Sequence, residues 1–151
     1  MTLESVSLFF GVIFSLLEMR RRGILKLEDF DRKHYHENVT LEEFNTMEDD
    51  YFTDFWPEWY RTGSIINGLH VQNVPHDIAE GLKEWKLGDE YFIVGVILSD
   101  SCDLDDMIAA KKEFEMKLNE NKYPEDDKYL SFFKEFTPKF HLIANDCKCC
   151  S

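Results

Sequence analysis

The sequence predicts an α+β fold, a single helix-rich domain over residues 1–151 with a buried N-terminal helix and a small sheet. The chain has 151 residues and is 44% hydrophobic, which is enough to bury a core without disulfides. An unbroken apolar run from Tyr91 to Leu98 has the length and the β-branched content of a buried strand. Asn67-Gly68 lies between apolar stretches and indicates a β-hairpin. An all-α arrangement is the alternative, because the run at 91–98 is also compatible with a buried helix.

The N-terminal region carries no charge from Ser5 to Leu17 and then continues into three arginines, Arg20 to Arg22. Its polar and small residues recur at three- and four-residue steps, which predicts a helix with one narrow polar stripe, buried elsewhere and ending at Gly23. The run is shorter than the roughly 20 apolar residues that a membrane span needs. An inverted membrane anchor, with the arginines after the apolar run, stays open.

Capping signals predict four further helices. Thr40 and Glu43 have the spacing of a capping box and predict a short helix through Met47. After the hairpin ends at Pro75, Asp77 is a cap for a helix through Trp85. Asp103 is a cap for a helix to about residue 121, and Pro124 opens the last helix. The apolar residues that these last two helices are expected to bury are Met107, Ala110, Phe114, Leu118, Tyr129, Phe132, Phe133 and Phe136. A final strand is predicted from Phe140 to Ala144.

The charge is strongly acidic, with a formal net charge of −13 and an isoelectric point near 4.7. Between His34 and Tyr60 there is no Lys or Arg, and the carboxylates there are Glu37, Glu42, Glu43, Glu48, Asp49, Asp50, Asp54 and Glu58. Large aromatic residues are interleaved with them. A concentrated negative field beside aromatic anchors is typical of a surface that binds a basic protein. Such a field repels phosphates, so we expect no direct binding of nucleic acid.

The segment from Glu48 to Tyr60, called here the acidic–aromatic segment, is the predicted partner-binding site. On a helix its aromatic residues fall on one face, and Asp50, Asp54 and Glu58 form a row on another. Pro57 is expected to kink that helix or to begin a second one. The aromatic stripe is compatible with core packing, whereas the row of carboxylates has no neighbouring cation. The predicted partner-binding residues are Glu48, Asp49, Asp50, Asp54, Glu58, Trp56, Trp59 and Tyr60.

Other candidate sites have weaker support. Three of the four cysteines lie in the tail 146–151 (Cys147, Cys149 and Cys150), which we interpret as a frayed end with reduced thiols in a cytoplasmic protein. His34 and His36 could share one face of a strand, but no third metal ligand is placed beside them. Cys102 could pair with His70 or His141 as a nucleophile, without any supporting motif. The sequence therefore predicts no catalysis, no metal and no cofactor.

In size, charge and the acidic–aromatic segment the chain resembles bacterial immunity proteins of toxin–immunity pairs, such as those of contact-dependent growth inhibition systems. The resemblance implies a cytoplasmic protein that neutralises a basic toxin, frequently a nuclease, by covering its active-site cleft. No residue role can be transferred by position, because the likeness includes no motif. The alternatives are a nucleic-acid mimic that inhibits a DNA- or RNA-binding enzyme, a small enzyme or metal protein using His34 and His36, and a membrane-associated adaptor built on the first helix.

Overall fold

The computed structural model describes residues 6–29, 38–47, 57, 65–74, 91–99, 101–120 and 122–144. In chain order the described elements are β1 (Val6–Ser15), α1 (Leu16–Arg21), α2 (Leu41–Thr46), β2 (Ile65–Ile66), β3 (Leu69–Asn73), β4 (Tyr91–Leu98), α3 (Leu104–Asn119), α4 (Asp127–Phe133) and β5 (Lys139–Ala144). Short 3-10 turns occupy Leu27–Asp29 and Pro124–Asp126. The strands form one antiparallel sheet in the order β2-β3-β4-β1-β5. The predicted α+β class is confirmed.

The predicted buried N-terminal helix is wrong, because Val6–Ser15 is the strand β1. β1 lies between β4 and β5 and buries side chains on both of its faces, so its sequence is uncharged and largely apolar instead of alternating. An apolar run of this kind cannot be assigned from periodicity alone. Helix begins only at Leu16, where the Ser15 side chain accepts the Glu18 N–H at 3.1 Å. Gly23 does end this helix as predicted, with φ of 72°.

The two faces of the sheet differ in what covers them. Register pairs Phe10 with Val96, Val12 with Val94 and Phe14 with Phe92, and this set faces the helices. The alternate residues of the same strands form a second, smaller cluster that includes Phe9, Ile93 and Ile143. The sheet therefore has a helix-covered face and an opposite face, and each face carries buried side chains.

Helices α3 and α4 supply the other half of the larger core. Of the predicted α3 stripe, Ala110, Phe114 and Leu118 are buried and Met107 is half-buried. Phe114 meets Phe10 edge-on, with ring centroids 5.6 Å apart. The predicted burial of Tyr129, Phe132 and Phe133 in α4 is confirmed. Phe136 lies half-buried just beyond the helix. Burial of these rings holds the helices on the sheet.

Most of the remaining local predictions are confirmed. Asn67-Gly68 forms the tight turn between β2 and β3, with positive φ at both residues. Thr40 caps α2 and accepts the Glu43 N–H at 3.1 Å, and Asp103 caps α3 in a capping box with Asp106. Strands at 91–98 and 139–144 are present as well. The helix predicted from Asp77 to Trp85 and the tail 146–151 lie outside the described residues.

Candidate functional site

The predicted partner-binding residues, Glu48, Asp49, Asp50, Asp54, Trp56, Glu58, Trp59 and Tyr60, lie outside the described residues. Pro57 is the one described member of the segment, and it is buried and forms an isolated β-bridge. Pro57 is thus not itself helical, and the helix that it was predicted to kink or to begin falls on residues outside the described part of the chain.

Arg20 fixes the chain at the point where the acidic–aromatic segment starts. Its guanidinium donates to the Phe44 carbonyl oxygen at 3.1 Å and also to the Met47 carbonyl oxygen. The same guanidinium lies 5.9 Å from the centre of the Phe44 ring, and Phe44 is the buried residue of α2. Met47 directly precedes Glu48. Arg20, an arginine of α1, therefore holds the residues that directly precede the acidic–aromatic segment.

Several other described cations are held in ion pairs. Arg22 makes a bidentate contact with Glu135, at 2.7 and 2.8 Å, and lies over the Phe132 ring. Lys128 Nζ contacts Asp29 at 2.5 Å. The described part of the chain holds 15 acidic and 11 basic residues, a net charge of −4, so −9 of the net charge of −13 belongs to the rest of the sequence. The acidic–aromatic segment contributes five carboxylates and no cation to that remainder.

A groove of about 320 Å³ lies between the end of β4 and α3. It is lined by the consecutive β4-end residues Val96 to Ser99 and by one side of α3, including Asp106, Ala109 and Glu113. Neighbouring residues of a strand point to opposite faces, so a cavity that touches four in a row must run along the edge of the strand. We call it the β4-edge groove.

The β4-edge groove exists because β3 is shorter than β4. The pairing of β3 with β4 begins at His70 opposite Gly95, whereas β1 pairs with β4 as far as Leu98. Beyond Gly95 the outer edge of β4 therefore has no strand partner among the described residues. Ile97, at 42% exposure, lies on this stretch. Two carboxylates, of Asp106 and Glu113, stand along the helical wall.

The pairing of Cys102 with His70 or His141, which the sequence left without a supporting motif, is not found. Cys102 packs against the cluster on the helix-covered face. The two histidines stand opposite Gly95 and Phe9, which places both on the other face of the sheet, on β3 and β5. Because the sheet lies between Cys102 and both histidines, neither pairing provides a thiol and its base at one site.

His141 gives a pH dependence that can be measured. Burial and, to a lesser extent, the nearby Lys139 hold the pKa of His141 below its usual 6.5. The folded state therefore binds this proton less readily than the unfolded state. The resulting stability is present above pH 6.5 and is lost as the pH falls through the lower, folded pKa.

We expect His141→Gln to flatten the fall in unfolding free energy between pH 7 and pH 5 relative to the native chain. Urea denaturation at several pH values measures it, with exposed His70→Gln as the matched control. An equal flattening in both variants would show that the pH dependence does not come from burial of His141.

In the described part of the chain, His, Cys, Asp and Glu side chains form no group of three or more that could hold a metal. His34 and His36 lie outside that part. None of the helices described is both long and apolar enough to cross a membrane. No family model, curated protein or solved structure matches the chain.

Two features of the site region are not predicted by the sequence. Arg20 is expected there only as one of three arginines after a buried helix, and no local signal indicates its contact with carbonyl groups 24 and 27 residues away. The β4-edge groove had one usable signal, because Ala109 and Glu113 fall on one side of α3, away from the apolar stripe.

Proposed function

We propose that this protein is a non-catalytic binding protein that neutralises a basic protein, in the manner of a bacterial immunity protein that covers the active-site cleft of its toxin. The observation that carries the proposal is the stretch from His34 to Tyr60, with eight carboxylates and no Lys or Arg. Uncompensated charge of this density raises the rate at which a cationic partner is captured. The proposal includes the predicted cytoplasmic location.

The charged and the aromatic residues of the segment contribute to binding in different ways. Asp49, Asp50, Asp54 and Glu58 supply the complementary charge, and the aromatic side chains of Trp56, Trp59 and Tyr60 supply buried contact area. The Arg20 contacts to the Phe44 and Met47 carbonyl oxygens support this role, because they anchor the chain that leads into the segment. Five carboxylates within thirteen residues, with no Lys or Arg among them, favour the same segment as the docking surface.

The direct test is binding to the toxin domain that we expect to be encoded beside this gene. We expect a complex that suppresses the toxic activity and whose association rate falls steeply between about 0.05 and 0.5 M salt, as the Debye length shortens. A salt-independent association rate would contradict the electrostatic part of the proposal. Failure to suppress the activity of any neighbouring toxin would contradict the neutralising role.

A charge-reversal variant tests the segment. The quadruple change D49K/D50K/D54K/E58K should lower the association rate by about 10- to 1,000-fold, because the steering field at the interface is inverted. The matched control, E28K/E115K/E120K/E125K, makes the same change in net charge at four exposed positions of the described surface. Circular dichroism checks that both variants fold. Equal losses in the two variants would mean that net charge alone acts, and unchanged binding in the first would place the interface elsewhere.

The nucleic-acid mimic is the second candidate, favoured by the four-residue spacing of Asp50, Asp54 and Glu58. A mimic should compete with DNA or RNA for several unrelated basic proteins, whereas an immunity protein should bind its own toxin selectively. Competition measured against a panel of basic nucleases separates the two. The adaptor alternative depended on a first helix, and β1 occupies that position instead.

A further inference from the structure

We propose that the β4-edge groove binds an extended, cationic peptide segment that adds to the sheet as a short strand beside Ile97. This surface is formed by other residues than those of the acidic–aromatic segment, and the inference does not rest on the function proposed above. Three properties of the described residues carry the inference: the direction of the backbone groups at Ile97, the apolar floor, and the carboxylates of the helical wall.

The direction of the backbone groups follows from the hydrogen bonds at the start of β4. The Tyr91 carbonyl oxygen accepts the Val74 N–H at 2.8 Å and the Asn73 carboxamide at 3.3 Å, so it points toward β3. Backbone groups of a strand alternate between its two neighbours, so those of Ile97 also point to the β3 side. At Ile97, however, β3 has already turned away.

Ile97 therefore offers one N–H donor and one carbonyl acceptor to the groove, with no partner for either among the described residues. The next outward-pointing carbonyl, that of Ser99, already accepts the Cys102 N–H at 3.2 Å. The open edge is thus short and is closed at its far end by the turn into α3. An edge of this length suits one or two residues of an added strand, which is the mode of β-augmentation.

The floor and wall determine what kind of peptide fits. Leu98 and Ala110 are buried at the floor, which favours an apolar side chain from the incoming strand. On the wall, Asp106 uses Oδ2 to cap the Asp103 N–H, and Glu113 Oε1 lies 3.5 Å from Lys117 Nζ. No described residue bonds to the second oxygen of either carboxylate. A Lys or Arg two positions from that apolar residue would lie on the same face of the added strand and would therefore meet complementary charge.

The test uses the seven-residue synthetic peptide Lys-Thr-Val-Thr-Lys-Thr-Val, called here the Lys-Val peptide, in which Lys and Val lie on one face of an extended strand. It is titrated into the full chain and followed by amide NMR. We expect shifts at Ile97, Ser99 and Ala109, and slower hydrogen exchange at the Ile97 amide when it gains an acceptor. N-methylation of alternate peptide amides should weaken binding in one set and leave the other set unchanged, because only one edge of the peptide faces β4. Equal effects in both sets would overturn strand addition.

A matched pair of helix variants tests the charge. Glu113→Lys should weaken binding of the Lys-Val peptide by about tenfold or more, since a favourable contact becomes a repulsive one. Glu115→Lys makes the same change on the far side of α3 and should alter the affinity less than about twofold. Glu113→Gln, which keeps the size of the side chain, should give an intermediate loss. Equal weakening by Glu113→Lys and Glu115→Lys, or no shift at Ile97 with millimolar peptide, would overturn the proposal.

Discussion

Replacing Gly95 with alanine is expected to destabilise the protein by about 3 kcal/mol or more, a large effect for one added methyl group. Gly95 on β4 stands opposite Gly11 on β1, in the middle of the sheet. A Cβ at Gly95 would overlap the Phe10 carbonyl oxygen and lie 2.9 Å from the Gly11 Cα, and a Cβ at Gly11 would overlap the Val94 carbonyl oxygen. These obstacles are backbone atoms, so a rotamer change cannot relieve them.

The cost is large because β1 and β4 hold both clusters of buried residues. Separating them at the glycine pair would disturb the packing of Phe10 and Val94 on the helix-covered face. Urea denaturation followed by circular dichroism measures the loss. Gly23→Ala is the matched control: its new Cβ meets nothing within 4 Å, and only its φ of 72° adds strain, of about 1 kcal/mol. If Gly95→Ala cost no more than Gly23→Ala, the close approach of β1 and β4 would be wrong.

Elements with local signals could be predicted from the sequence. The hairpin at Asn67-Gly68, the caps at Thr40 and Asp103, and the stripe of α3 each depend on residues within a few positions of one another, and each is confirmed. β1 could not be assigned in the same way, because its identity as a strand depends on pairing with β4 and β5. Its small residues recur at three- and four-residue steps, as they would in a helix. The reason for Gly11 is instead that Gly95, far away in the sequence, lies opposite it in the sheet.

In the site region, too, features with a local cause can be predicted from the sequence and features that depend on distant residues cannot. The acidic–aromatic segment is visible in the sequence because its charge is contiguous. Arg20, by contrast, reaches carbonyl groups 24 and 27 residues away, and nothing in its local sequence indicates that contact. The β4-edge groove depends on where β3 stops relative to β4, a difference in strand length that turn signals place only within a few residues. Caps and turns depend on residues that are close in the sequence and can be predicted from it. The β4-edge groove depends on the register of β3 against β4, which the sequence does not fix locally.

Replacing Asn67 with alanine is expected to cost about 2 to 4 kcal/mol, because this residue joins the hairpin to the end of α3. Its carboxamide donates to the Lys117 carbonyl oxygen at 2.6 Å and to the Glu120 carbonyl oxygen at 2.8 Å, and its own N–H donates to Asp126 Oδ2 at 2.9 Å. The side chain is only 5% exposed. Truncation would leave both helix-end carbonyls without that donor, at a site that water reaches poorly.

Backbone strain at position 67 adds to the cost of Asn67→Ala, and a second substitution separates it from the cost of the lost hydrogen bonds. Asn67 has a φ of 48°, which asparagine tolerates better than alanine does and which glycine adopts freely. Asn67→Gly should therefore recover about 1 kcal/mol of the loss in Asn67→Ala, and the remainder belongs to the carboxamide. The exposed Asn119, whose amide donates to Glu115 within α3 at 2.8 Å, is the matched control, with an expected cost of about 0.5 kcal/mol or less for Asn119→Ala.

The two Asn67 variants also bear on the β4-edge groove. The carboxamide fixes the hairpin turn against the end of α3, and Lys117 reinforces it by donating to the Gly68 carbonyl oxygen at 3.0 Å. Loosening that turn would let β3 move along the edge of β4 near Ile97. We therefore expect Asn67→Gly to speed hydrogen exchange in β3 while leaving the β1–β4 pairs protected. Uniformly faster exchange across the sheet would instead show that the hairpin and the central strands unfold as one unit.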